Sequence, residues 1–180
     1  GDEEMREAFR QDQDIHTHTA AEINGVELDE VTPAMRSDAK AINFGIVYGI
    51  SDFGLARNIG STRKRAADFI SRYFEHYPGV SRFMDESVRF GYEHGYIATL
   101  MGRRRRLDEL KSGNVNTRNF GERAAMNTPI QGTAADIIKA AMVRVSRELR
   151  EGNFQARLIL TVHDELIIEA PDNEAEPVRQ

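Results

Sequence analysis

Arg36, Lys40, Phe44 and Tyr48 recur at intervals of four. On an α-helix each such step advances about 40°, so the four side chains would form one slanted stripe about 18 Å long. Two cations lead and two aromatics follow. Guanidinium and ammonium groups hold phosphate oxygens, while aromatic faces support a sugar and base by stacking, so the stripe has the chemistry to grip a nucleoside triphosphate. The same spacing also describes a plain amphipathic helix, with Arg and Lys in water and Phe and Tyr in a core. Arg123, Asn127 and Gln131 repeat the interval of four. An arginine with two amides suits the minor groove, where purine N3 and pyrimidine O2 are acceptors in every paired step; a polar helix face is the plainer reading. His163 and Asp164 lie between two apolar runs. A carboxylate at a hairpin tip is rigidly placed, and magnesium takes one or two such ligands plus waters and substrate phosphates, although His-Asp is also ordinary turn chemistry. Arg103, Arg104, Arg105 and Arg106 follow Gly102 and suit salt-sensitive contact with phosphates.

The elements that must position these groups can be read from the same chain. Met5, Ala8 and Phe9 predict an opening helix. Thr32 followed by Pro33 is a helix start, and Ala39, Ile42, Phe44, Ile46 and Val47 carry that helix to about Gly49. Ser51 and Ser61 are candidate caps of two further helices; the second carries Ala66, Phe69, Ile70 and Phe74 until Pro78 breaks it, and a fourth covers residues 80–94. Residues 96–100 and 103–107 predict a hairpin around Met101 and Gly102, its four arginines alternating between faces. After a polar loop, helices resume near Thr117 and again from Thr133 to Leu149, with Pro129 bending or separating them. Residues 156–170 read as a β-hairpin with His163 and Asp164 at its tip. A lone hairpin is marginal in water, so it must lie on a sheet with other strands. Gly1 is not an initiator methionine, and Pro171, Asp172, Glu174 and Ala175 resemble a first helical turn that Gln180 cuts short, so both ends read as cuts.

The chain of 180 residues has a formal net charge of −5, and hydrophobic residues make up 40% of it. That length suits one ordinary domain or part of a larger one. Cysteine is absent, which excludes a disulfide framework, a thiolate nucleophile and cysteine-ligated metal, and leaves oxygen and imidazole ligands. No apolar run approaches bilayer length and no leader precedes the first helix, so a cytosolic protein without a membrane partner is expected. The charge is unevenly spread. Residues 1–30 hold ten acids against two bases, and residues 164–180 hold six against one. The stretch between is therefore strongly basic, the electrostatic footprint of something that meets phosphates, or else a solvated basic face.

The words around these residues say more than their spacing. RSDAKAINFGIVYG, residues 36–49, resembles the motif B helix of family A DNA polymerases, whose pattern of Arg, Lys, Phe and Tyr-Gly at intervals of four it meets at every position. The resemblance implies that Arg36 and Lys40 bind the incoming triphosphate, with Lys40 counted among the catalytic groups. It also implies that Phe44 lies against the sugar and Tyr48 near the nascent pair. Asp14-Ile15-His16 resembles a family element whose histidine reaches the phosphates. GERAAMNTPIQGTAADIIKAAM, residues 121–142, is similar to a family segment in which Arg123, Asn127 and Gln131 touch primer, template and minor groove. TVHDELIIEA, residues 161–170, resembles motif C, which implies that Asp164 is a catalytic metal ligand, with Glu165 as a further candidate and His163 near the primer end. The arginine hairpin matches one that lies near the duplex backbone, making Arg103, Arg104 and Arg105 candidate DNA contacts.

The resemblance covers practically the whole chain and is closest to the bacterial DNA polymerase I branch. It implies an α+β fold: a mostly helical fingers subdomain plus part of an antiparallel palm sheet, an incomplete polymerase right hand. Residues 1–30 would lead in from the palm, 31–95 would form the fingers, and 96–180 would supply partial palm with the basic hairpin, the minor-groove helix and the motif C hairpin. The implied reaction is template-directed transfer of deoxynucleotides to a primer 3′-OH with two Mg2+ ions. Its partners would be primer-template DNA, deoxynucleoside triphosphates and the remainder of the parent chain. The second metal-binding aspartate of the family, in a motif like DYSQIELR, is absent from these residues, so the segment alone is expected not to catalyse extension. Two other readings share some of these words: a single-subunit phage-type RNA polymerase, and a polymerase-derived module that binds nucleic acid without catalysis.

Overall fold

The computed structural model describes residues 2–11 and 14–179; Gly1 and Gln180, read above as cut ends, lie outside them. The described residues are mostly helical with two small antiparallel sheets, an α+β arrangement in two compact units. The first holds residues up to 98 together with 104–129, and the second holds residues 99–103 with 130–179. Among the described residues no helix is long and apolar enough to cross a membrane.

The first unit begins with α1 (Glu3–Arg10), capped by Asp2, and α2 (Ile15–Asn24), capped by Asp14 and closed by Gly25 in the left-handed region. A 3-10 turn at Leu28–Glu30 leads into α3 (Pro33–Val47), where the Thr32 hydroxyl accepts from the Met35 amide and Pro33 takes the first position, as a proline at a helix start should. Ser51 caps α4 (Asp52–Asn58) as expected. The cap of α5 (Arg63–His76) is Thr62 rather than Ser61: the Thr62 backbone is extended and its hydroxyl accepts from the Arg65 amide. Pro78 ends α5 by starting α6 (Pro78–His94) two residues before the expected position. Ile23, Ile42, Ile46, Leu55, Ala66, Phe69, Tyr73 and Tyr77 form the core between these helices. Each fully buried aliphatic side chain there contributes about 1.5–3 kcal/mol of burial free energy. Desolvation raises the Tyr73 phenol well above the usual tyrosine range.

The arginine hairpin is shorter than the sequence implied. β1 (Tyr96–Ala98) pairs with β2 (Arg104–Arg106), Ile97 lying opposite Arg105. The polar stretch after it holds a 3-10 turn at Asp108–Lys111 whose Leu110 is buried, and α7 (Val115–Asn127), capped by Asn114, starts two residues before Thr117. Ile97, Leu107, Leu110, Ala124 and Ala125 make a second small core. Pro129, which brings no amide hydrogen, lies in a π-helical turn, Thr128–Gly132, between α7 and α8 (Thr133–Glu151).

In the second unit α8 is followed by β3 (Arg157–Val162) and β4 (Glu165–Glu169), antiparallel with an irregularity between Leu158 and Leu160. Both Gln155 and Ala156 donate backbone N–H groups to the Glu174 carboxylate, which ties the start of β3 to the turn before α9 (Ala175–Arg179). The two strands leave Ile159, Leu160, Val162 and Ile167 exposed, as a hairpin awaiting neighbours would.

Candidate nucleotide and nucleic-acid interface

The helix α3 divides cleanly by face. Ala39, Ile42, Asn43, Gly45 and Ile46 are buried, while Arg36, Lys40, Phe44 and Tyr48 are all exposed. The alternative of a plain amphipathic helix required Phe and Tyr in the core. Instead Phe44 is 49% exposed and Tyr48 44% exposed. Their rings stack on one another with centroids 6.5 Å apart and planes 12° from parallel. Two large apolar rings held together in water on a cationic face form a platform rather than a packing failure.

The start of α2 completes that face. Asp14 does three jobs at once: it accepts from the His16 amide as N-cap, accepts from the Thr17 hydroxyl at 2.6 Å, and receives the Arg36 Nε hydrogen bond at 2.5 Å. The Arg36 guanidinium, then Thr17, hold the Asp14 carboxyl well below the usual carboxylate range. Two residues on, the His16 ring lies 5.7 Å from that of Phe44, and Asn43 Nδ2 is 3.0 Å from His16 Nδ1. An amide donor at that position requires a lone pair on Nδ1 and leaves the ring proton on Nε2. Partial burial lowers the His16 pKa, and the charges of Arg36 and Lys40 add to this against the opposing pull of Asp14. A neutral ring with a free Nε2–H, beside two cations, is a hydrogen-bond donor for a phosphate oxygen.

At the other end of the stripe the chain turns at Gly49, whose φ is +71°. A Cβ there would lie 2.8 Å from Met126 Cε and 3.1 Å from Arg123 Cγ, so α7 closes against this turn through a contact that only glycine leaves open. An open cleft of about 510 Å³ results, lined by Phe44, Gly45, Tyr48, Gly49, Asn58 and Arg123 among others. The structure thus brings His16, Arg36, Phe44, Tyr48 and Arg123 onto connected surface of one unit. Arg123 is exposed and Asn127 half-buried on α7, whereas Gln131 sits on the π turn and not on a regular helix.

The arginines of the hairpin have different partners. Arg104 lies 4.6 Å over the Tyr96 ring and Arg105 5.8 Å over that of Phe120; both stay exposed, with guanidinium edges available. In the second unit Arg103 is engaged within the protein, donating Nε to Asp136 Oδ1 at 2.6 Å and Nη2 to the Gly132 carbonyl at 3.0 Å. The Leu100 amide donates to the Thr133 hydroxyl. Thr99 and then Arg103 lower the pKa of Asp136. The tip of the hairpin is clamped to the first turn of α8.

At the other hairpin, Val162 pairs with Glu165, so His163 and Asp164 form a two-residue turn. His163 has φ +55°, a left-handed conformation that is uncommon without glycine though enriched for histidine. Asp164 and Glu165 are both exposed at this tip. Carboxylate oxygens are the kind of ligand that a hard cation takes.

Sequence reasoning missed Asp14 as the partner of Arg36, Asn43 as the partner of His16, and Asp136 as the anchor of Arg103. Asp14 was detectable as a cap before an apolar stretch; the other two are polar residues on buried helix faces, and Asp136 and Asn43 stand out only as polar positions within an apolar pattern.

The exposed Arg36 and Lys40 of α3 and the exposed Arg104 and Arg105 of the hairpin carry donors of the kind that phosphate groups accept from. The model of DNA polymerase family A matches residues 1–180, and the chain belongs to that family. It is 59% identical over 175 residues to DNA polymerase I of Bacillus caldotenax and 58% over 175 residues to that of Bacillus subtilis, each alignment covering 97% of this chain and 20% of the relative. DNA polymerase I of Caldicellulosiruptor bescii is 53% identical over 179 residues, covering 99% and 21%. The chain spans about a fifth of the length of these curated relatives. Among solved structures, the POL domain of Pol1 from M. smegmatis in complex with DNA primer-template and dNTP matches with a TM-score of 0.87 and 39% identity, over 96% of this chain and 30% of that one.

Proposed function

We propose that this chain supplies the nucleotide-gripping helix, the duplex-contacting residues and one metal-binding carboxylate of a DNA-directed DNA polymerase. In the complete protein these would transfer deoxynucleotides from triphosphates to a primer 3′-OH on a template. The observation that carries the reading is the exposed stripe of Arg36, Lys40, Phe44 and Tyr48 with His16 beside it. The first two residues and His16 supply donors for three phosphates, and the stacked rings supply a wall for sugar and base. The M. smegmatis relative, by its description, holds both primer-template and dNTP, which supports the same ligands here.

Arg123, Asn127 and Gln131 are assigned to the minor groove and Arg104 and Arg105 to the duplex backbone, with His163 near the primer end. Arg103 contributes by holding the hairpin tip. Asp164, with Glu165 beside it, would hold Mg2+, which when bound lowers the pKa of the primer hydroxyl and neutralises developing phosphate charge. The protein's own part is to place that carboxylate at a rigid tip and to hold the triphosphate in line. The work is DNA replication or repair, in the cytosol where its substrates are. Relatives named as DNA polymerases disfavour the phage-type RNA polymerase reading. A non-catalytic module has no use for a metal carboxylate.

Because the second aspartate of the family's metal site is absent from these residues, the 180-residue chain alone is proposed to be inactive. The test is primer extension with Mg2+ by the complete parent protein and its Asp164→Ala variant, with deoxy- and ribonucleotides. Deoxynucleotide incorporation that Asp164→Ala abolishes supports the proposal. Activity surviving in Asp164→Ala would remove the metal assignment, and extension by the isolated chain would remove the claim of inactivity.

A further inference from the structure

We infer that the first unit carries a second, separate metal site for a borderline transition cation of the Zn2+ class, formed by His18, Glu22 and His76. His18 and Glu22 are one helical turn apart on α2, so their side chains share a face. His76 comes from the last turn of α5, 54 residues after Glu22. The ligand atoms of the three all lie within 4.8 Å of one another, and His76 Nδ1 is 3.6 Å from Glu22 Oε2.

Zinc bonded at about 2.1 Å to nitrogen and oxygen ligands in tetrahedral geometry spaces those ligands about 3.4 Å apart. The His76–Glu22 separation, 3.6 Å, is close to that spacing, and the ligand atom of His18 lies within 4.8 Å of both. Two imidazoles and one carboxylate are the donor set of zinc rather than magnesium, which prefers oxygen throughout. His76 is also oriented: its ring meets the Tyr77 ring edge-on with centroids 4.4 Å apart, and Tyr77 is in the core. The His76 side chain is 25% exposed and that of Glu22 48%, which leaves water access for a fourth ligand. A His76–Glu22 ion pair alone would explain two of the three residues; it gives no account of His18 facing both.

A cation here would tie α2, whose first turn holds Asp14 and His16, to α5 across the whole motif B helix and α4. Because the unfolded chain cannot assemble the three ligands, binding stabilises the folded unit. The site lies apart from Asp164 in sequence and in donor chemistry, so its fate is independent of the polymerase reading.

The experiment is calorimetric Zn2+ titration of the full-length protein, with thermal unfolding and Co2+ absorption spectra, on wild type, His18→Ala, His76→Ala and Glu22→Gln. A Zn2+ isotherm that excess Mg2+ leaves in place, weakened at least tenfold in each variant, is expected. The Zn2+-dependent rise in Tm and the visible Co2+ bands should disappear with it. His18→Ala, a substitution on a helix surface, keeps the test sound if His76→Ala disturbs the core. Equal Zn2+ affinity, Tm rise and Co2+ spectra in His18→Ala and wild type would overturn the assignment.

Discussion

At the residue scale, the candidate site depends on partners that already occupy its cations. Asp14→Asn keeps a good N-cap while removing the negative charge held against Arg36. Its Tm should barely move, since exposed ion pairs contribute little, and the KM for dNTP in the parent enzyme should fall by up to roughly fivefold as Arg36 is freed. Steady-state kinetics with thermal unfolding reads both; a higher KM would show that Asp14 helps rather than competes. His16 gives a pH dependence whose sign follows from its lowered pKa. Below the unfolded value of about 6.5 the unfolded chain takes up a proton that the folded protein resists. Stability is therefore full above that pH and declines as pH falls through the interval to the lower folded value. Urea unfolding at pH 7.5 and 5.5 should show a smaller loss in His16→Gln than in wild type. The sequence disclosed Arg36, Lys40, Phe44 and Tyr48 because their types and interval are both informative. It did not disclose Asp136 or Asn43, because a buried polar residue acquires its meaning from a partner 33 or 27 positions away.

At the element scale, the helices were legible wherever a cap stood next to an apolar rhythm, as at Thr32 and Ser51. Ser61 was the expected cap of α5 and its neighbour Thr62 is the observed one, a one-residue difference that residue types alone do not encode. The π turn was illegible for a related reason: Pro129 announces a lost hydrogen bond but not whether the helix breaks, bends or widens. Gly49 shows how an element junction can depend on one missing methyl. Gly49→Ala would carry a side chain at φ +71° and push on Met126 and Arg123, so it should destabilise the fold by about 1–2 kcal/mol. It should also raise the KM for dNTP or primer-template by shifting Tyr48 and Arg123. Chemical denaturation tests the first effect and kinetics the second; wild-type stability would mean that the turn relaxes to another conformation.

At the scale of the whole molecule, charge distribution separates roles that the sequence lumps together. Four consecutive arginines look equivalent in the sequence; the structure leaves Arg104 and Arg105 exposed over rings while Arg103 is held by Asp136 and Gly132. For primer-template binding by the parent protein, Arg104→Ala and Arg105→Ala should each reduce the slope of log affinity against log salt by about 1. Arg103→Ala should leave the slope nearly intact and lower Tm instead. Fluorescence anisotropy at several salt concentrations checks this, and an equal slope change in all three would return Arg103 to the duplex contacts. The order of helices and hairpins was readable from periodicity, caps and turn residues, and the α+β class from the family resemblance. What covers the apolar face of β3 and β4 was not, since these residues supply two strands of the sheet that the exposed Ile159, Leu160, Val162 and Ile167 require.

The Asp14–Arg36 pair also changes how nucleotide binding should respond to ions in solution. When a phosphate oxygen takes the guanidinium from a carboxylate, one contact is exchanged for another, and the released Asp14 gains counterions of its own. A count of the cations on α3 therefore overstates the ion release on binding a triphosphate, and its affinity should fade with salt more gently than that count implies.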